Sequence, residues 1–290
     1  AILPMTKKPA KRSQPRRSPP KAAARPTPRQ RSARFAVGAL LAAALLVLAG
    51  GWYAVSRLTS ASTAVAPADA ANAEPGLIEK VASLYNDIYL YKQDDGNFML
   101  SFGAKRLRYI ESIIDPQDEL DLPVEYTQSM TGAALAYAPG LDDAAIIGLG
   151  GGRTAWYLHK SVPDLSFTAV ELDPEVARIT DRYFGVRPEK NFDIQISDGR
   201  VWLTRSDKKF DIILVDAYRG PFVPFHLLTS EFYKLVADHL KPGGIAVQNV
   251  EPTTMLFDSA VATIKSAFAH TVFLYGGGNI VIVGYNGPEK

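Results

Sequence analysis

The spacing of apolar and polar positions changes several times along the chain. Residues 35–55 read FAVGALLAAALLVLAGGWYAV, 21 residues without a charge, enough for one helical crossing of a hydrocarbon layer. From 77 to 114 the pattern alternates in strand fashion. Ile88 and Leu90 precede the turn Asp94-Asp95-Gly96, and Phe98, Leu100, Phe102 and then Leu107, Tyr109, Glu111 and Ile113 follow it. A small antiparallel β unit is expected there. Helical spacing runs from Tyr126 to Ala138 and stops at Pro139-Gly140. Beyond that point strands and helices alternate, with strands expected at 144–148, 166–171, 192–196, 210–216 and 244–249 and helices at 153–160, 174–184, 230–240 and 255–268. Strands separated by crossover helices make an α/β, doubly wound, mostly parallel sheet. A last strand pair, 271–275 and 280–285, adds an antiparallel terminal hairpin around Gly276-Gly277-Gly278.

Charge divides the chain further. Residues 1–34 hold eleven Lys or Arg and no acid, and too few large apolar side chains to offset chain entropy, so they are expected as a disordered basic tail. That cluster predicts a cytoplasmic N-terminus for a single-pass membrane protein, with Trp52 and Tyr53 at the interface and Arg57 closing the segment. A transmembrane helix or uncleaved signal anchor over 35–57 is preferred to a cleaved signal peptide, whose apolar region runs only about 7–15 residues. A small-residue linker is expected over 58–76, a β unit over 77–125 and a catalytic domain over 126–290. The positive-inside rule then places the globular part outside the cytoplasm.

Without the tail, 21 basic residues face 30 acidic ones, a charge of −9 over 35–290. Such a body repels phosphate backbones, and no nucleic-acid partner is expected. The absence of cysteine excludes disulfides, thiolate zinc sites and a Cys nucleophile. His159, His226, His239 and His270 show no HxH or HxxxH spacing, so no metal is expected.

The chemistry centres on AAIIGLGGGRT, residues 144–154. An apolar β-branched run enters Gly148, Gly150, Gly151 and Gly152 and leaves as a helix start. Glycines let the backbone bend sharply and approach a ligand, and the helix N-terminus adds unpaired N–H groups. A nucleotide-like ligand is expected. Gly150, Gly152 and Ala155 also fit the dinucleotide fingerprint GxGxxA, with Glu171 about 20 residues on, so this turn alone leaves an NAD-dependent oxidoreductase open. Ligands of such sheets sit at the carboxyl ends of the strands, where Glu171, Asp198 and Asp216 also fall. Glu171 suits ribose hydroxyls and Asp198 an adenine amino group.

Further motifs follow in order: VELDPEV, ISDGR, FDIILVDAYRG, PFHLLTSEFY and LKPGGIAVQN. Together they resemble the spermidine synthase (polyamine aminopropyltransferase) family, a branch of the class I S-adenosylmethionine-dependent, Rossmann-like methyltransferase fold. The resemblance covers about 77–285, including the small β unit. It implies a transferase moving an aminopropyl or methyl group from decarboxylated S-adenosylmethionine or S-adenosylmethionine to a small acceptor, without a metal, and a homodimer. It assigns Gly148, Gly150, Gly152, Glu171, Asp198 and Gly199 to cosubstrate binding and Asp216 and Tyr126 to catalysis. Two departures stand out. The aspartate of the family's GGGDG turn is Gly151, and the last three residues of its DSSD motif are Ala217, Tyr218 and Arg219, which turns the acceptor away from a plain diamine. A non-catalytic nucleoside-binding or assembly domain of the same fold is the alternative, favoured by the expected topology because neither donor is expected outside the cytoplasm.

Overall fold

The computed structural model describes residues 67–104, 107–220 and 222–290. A short helix α1 (Ala68–Ala71) opens it, followed by β1 (Gly76–Ala82), β2 (Asp87–Lys92), β3 (Phe98–Ala104) and β4 (Leu107–Ile114), which pair in that order as an antiparallel sheet. Helix α2 (Glu125–Tyr137) leads into an alternation of β5 (Asp143–Ile147), α3 (Arg153–Ser161), β6 (Ser166–Glu171), α4 (Pro174–Phe184), β7 (Phe192–Ile196) and α5 (Gly199–Arg205). The remaining elements are β8 (Phe210–Val215), a 3-10 turn (Phe225–Leu227), α6 (Ser230–Asp238), β9 (Leu240–Val250), α7 (Phe257–Ala267), β10 (His270–Gly276) and β11 (Asn279–Tyr285).

These strands form one sheet in the order β10-β11-β9-β8-β5-β6-β7. It is parallel from β9 to β7 and antiparallel where β11 meets β9 and β10. The central strands are buried on both faces, which is why β8, FDIILV, is apolar apart from Asp211, whose carboxylate accepts from Asp142 N, Asp143 N and Lys241 Nζ. Side chains alternate between two cores. Ile146, Ile212, Leu214 and Val247 pack with α2, α3, α4 and the small sheet, while Ile147, Ile213, Val215 and Ala246 pack with α6 and α7. Chain order reverses between β5 and β8, so a crevice opens at their carboxyl ends.

Some elements differ from the sequence reading. Helix α5 was not expected, because seven residues give too short a period to recognise. Residues 68–71 fall within the expected linker, yet they form a helical turn whose Ala70 is buried, and Lys92 Nζ donates to the carbonyls of Ala71 and Ala73 at 2.6 and 2.7 Å. The ordered chain thus begins before Leu77. Among the described residues no helix is long and apolar enough to cross a membrane. The tail 1–34 and the segment 35–57 expected to cross one lie outside the described residues.

Candidate active site

A cavity of about 550 Å³ lies at the carboxyl ends of β5, β6 and β8, with Gly148, Gly150, Glu171, Asp198 and Asp216 on its wall. The sequence-expected residues therefore converge, Gly199 included, while Gly152 sits just behind as the left-handed N-cap of α3. Gly148 has φ +95°, and a Cβ there would lie 2.3 Å from the carbonyl oxygen of Asp216. Only glycine lets the first turn pass so close to the end of β8.

Glu171 braces that turn. It is 8% exposed; its Oε2 accepts from Leu149 N at 2.9 Å and its Oε1 from Asp173 N at 2.9 Å. Burial raises its pKa and these backbone donors work against the rise. Each oxygen keeps a lone pair for a further donor such as a sugar hydroxyl. Thr180 Oγ1 donates to the Gly150 carbonyl at 2.5 Å and ties α4 to the turn. Asp198 has more partners than the sequence suggests. Its Oδ1 caps α5 by accepting from Val201 N at 2.9 Å, and its Oδ2 lies 2.8 Å from His226 Nε2. Gly199 is required because a Cβ there would lie 2.2 Å from Ile147 Cγ2, so the cap sits directly against β5.

Asp216 lies opposite. Asn249 Nδ2 donates to its Oδ1 at 2.8 Å, and Asn279 Nδ2 donates to Asn249 Oδ1 at 2.9 Å, which fixes the orientation of the Asn249 amide. Asp216 keeps some exposed surface, but its carboxyl group is enclosed; burial pushes its pKa up to about 6, against the hydrogen bonds from Asn249 and Tyr126. The Glu111 carbonyl, 3.3 Å from Tyr126 OH, is the alternative acceptor for its single proton. The pKa of Tyr126 is raised well above the usual phenol value by burial and then by Asp216. A neutral phenol beside a carboxylate poised near neutrality can hold and accept a proton.

Sequence reasoning did not single out Glu111, which was placed in the strand alternation of 77–114 but lines the cavity. Asn249, at the end of the LKPGGIAVQN motif, orients Asp216 and is 1% exposed. His226 meets Asp198. Arg219 lines the cavity with its side chain exposed.

Comparison with known proteins bears on this geometry. The family model of the spermine/spermidine synthase domain matches residues 124–275. A polyamine aminopropyltransferase of Vibrio vulnificus (strain CMCP6) is 36% identical over 197 residues, 66% of this chain and 65% of that protein. The chain thus spans slightly less than two thirds of that relative. A probable spermidine synthase from Corynebacterium glutamicum ATCC 13032 superposes with TM-score 0.61 at 24% identity, covering 74% of this chain and 81% of that one. A spermidine synthase in complex with the transition-state analogue AdoDATO gives TM-score 0.60 at 20% identity, over 71% and 72% of the two chains. Both structures share the fold.

Proposed function

The chain belongs to the spermine/spermidine synthase family, and from that premise we propose that its cavity binds an S-adenosyl sulfonium nucleoside and passes the aminopropyl group to an amine acceptor. One observation carries the reading: the glycine turn, the acid that ends β6 and the acid after β8 meet on one cavity wall. The AdoDATO complex of a spermidine synthase with the same fold supports an S-adenosyl donor. Glu171 would accept from the ribose hydroxyls while holding the turn through Leu149 N. The Asp198–His226 pair would border the base, with the capping oxygen of Asp198 already engaged.

In the transfer, the nitrogen lone pair of a neutral acceptor amine attacks the methylene carbon beside the sulfonium. The carbon–sulfur bond breaks with its electrons going to sulfur, a neutral thioether leaves, and the new nitrogen cation gives its proton to the Asp216 carboxylate. The leaving group needs no acid, so positioning supplies most of the rate. Tyr126 and Asn249 hold Asp216 for this task. Methyl transfer from S-adenosylmethionine would use the same nucleoside site. At the lip, Arg219 replaces an acid with a guanidinium and favours an acceptor that carries a carboxylate.

Calorimetry with S-adenosylmethionine, decarboxylated S-adenosylmethionine and methylthioadenosine tests the donor, and absence of heat with all three refutes the reading. Mass spectrometry with putrescine and with carboxylate-bearing amines tests the acceptor; efficient spermidine formation would refute the inference from Arg219.

A further inference from the structure

Glu111 Oε1, Arg153 Nη1 and Thr154 Oγ1 are buried and have no hydrogen-bond partner among the described residues. All three residues line one pocket of about 20 Å³, bounded by β4, α2 and the start of α3. Buried polar groups are normally hydrogen-bonded, so three unpaired ones around a single space mark it as a receptor for a polar group. Its volume suits a small one, such as a carboxylate oxygen.

The wall favours an anion. Arg153 is 2% exposed. Its Nη2 donates to the main-chain carbonyls of Glu119 and Asp121 and its Nε to that of Asp121 at 3.3 Å, which anchors the side chain and leaves Nη1 for the pocket. Burial lowers its pKa to about 10, against the attraction of Asp121, Asp118 and Glu119, so the guanidinium keeps its charge at neutral pH. Thr154 adds a hydroxyl in the first turn of α3, where the helix end also favours negative charge. Burial, and then Asp216 and Glu171, raise the Glu111 pKa well above the usual range, which favours its acid form, and the O–H of that form is a further donor. Asp216 also borders the space, but its carboxylate is already engaged by Asn249 and Tyr126. The glycine turn itself has changed sign relative to the family. Gly151 stands in the place of its acid, where a Cβ would lie 2.3 Å from Ser112 Oγ, and Arg153 follows two residues on.

Resting on the S-adenosyl reading above, we propose that Arg153 and Thr154 receive the α-carboxylate of S-adenosylmethionine, so that the site takes the intact donor in preference to the decarboxylated one. The pocket shares Glu111, Gly150 and Asp216 with the nucleoside cavity, so an arm leaving a sulfur over the turn leads towards it. The decarboxylated donor brings no acceptor for Arg153 Nη1 and leaves a buried charge short of one hydrogen bond. An arm transferred from the intact donor, by the same attack on the methylene beside sulfur, reaches the acceptor with its carboxylate attached. A carboxylate on the acceptor has the same chemistry, and the experiment separates the two sources.

Calorimetry on the full chain distinguishes this proposal from the reading beneath it. Wild type is expected to bind S-adenosylmethionine about tenfold or more tightly than its decarboxylated form, the size of effect typical of one hydrogen bond between charged groups. Thr154→Val removes a hydroxyl that the fold leaves unbonded, so the variant should fold as wild type does. It should weaken S-adenosylmethionine roughly fivefold and leave the decarboxylated donor and methylthioadenosine within about twofold. Arg153→Gln should abolish the preference between the donors; because Arg153 also holds the 119 and 121 carbonyls, retained methylthioadenosine binding verifies that this variant is folded. Equal affinity of wild type for the two donors, a preference for the decarboxylated one, or an equal loss for all three nucleosides in Thr154→Val overturns the assignment. So does a Thr154→Val variant that spares both donors and raises only the KM of a carboxylate-bearing acceptor, since the carboxylate would then be the acceptor's. Binding of methylthioadenosine with no preference between the donors sinks this proposal alone, whereas no binding of any of the three sinks the S-adenosyl reading and this proposal with it.

Discussion

Asp216 carries the clearest chemical prediction. Its pKa is pushed up to about 6, so the turnover rate should rise with pH through that value and level off as the carboxylate ionises. Asp216→Asn should lower kcat by about 10²–10⁴-fold, read by mass-spectrometric product formation. Stability should move the other way. The folded-state pKa lies above the ordinary 3.8, so between about 4 and 6 the folded chain binds more protons than the unfolded one and loses stability as pH rises. Asp216→Asn removes that loss and should be more stable than wild type at pH 7.5 by about 1–3 kcal/mol in urea unfolding. A variant that is inactive and less stable at that pH would contradict a base held at the expense of stability. Asn249→Ala deletes the donor on Asp216 Oδ1, and the rise in the pH–rate profile should move upward by roughly one unit. An unmoved profile would mean that Asn249 only fills space.

The turn after β5 was legible because its requirements are local. A β-branched run, glycines and a helix start are all written within 144–154, and the structure needs glycine where the pattern puts it. Gly148→Ala meets backbone atoms that cannot step aside and should cost roughly 3 kcal/mol or more. Gly150 has φ +53° and its nearest neighbour at 4.0 Å from the ideal Cβ, so Gly150→Ala should cost only about 1–2 kcal/mol yet weaken nucleoside binding by adding a methyl to the cavity wall. Melting and calorimetry on the two variants check the contrast. The neighbouring strand β4 was harder to read. Alternation put Leu107, Tyr109, Glu111 and Ile113 on one face, but Ser112 and Ile114 are the buried residues. A register shift between Leu100 and Ser101 accompanies its pairing with β3, and a one-residue offset exchanges the faces of a strand. Glu111, the residue the shift leaves without a partner on β3, was thereby read as one more position of the alternation. The Asn279–Asn249–Asp216 chain joins three elements, and its contacts depend on the antiparallel register of β9 and β11, where Asn249 faces Val281. No spacing within one segment encodes that.

For the whole protein, the uncharged run at 35–55 predicts that full-length chain sediments with membranes and resists a carbonate wash, while residues 61–290 stay in the supernatant. The charge distribution predicts something about encounter. Beyond the basic tail the chain carries −9, and Glu111, Glu171, Asp173, Asp198 and Asp216 line the cavity against Arg219. An acid-lined cleft concentrates cations, and the effect weakens when salt shortens the screening length from about 10 Å at 0.1 M to about 3 Å at 1 M. For a polyamine-like cationic acceptor, kcat/KM should therefore fall several-fold over that range. Methylthioadenosine is neutral and relies on the turn and on Glu171, so its affinity should change little. The two measurements distinguish a field effect from general destabilisation by salt, which would weaken both. An acceptor bearing a carboxylate, as Arg219 suggests, should show a shallower decline than a plain diamine because part of its attraction to the cleft is cancelled by its own negative charge. Should the diamine and the amino acid decline in parallel, Arg219 lies too far out on the lip to take part in recognition.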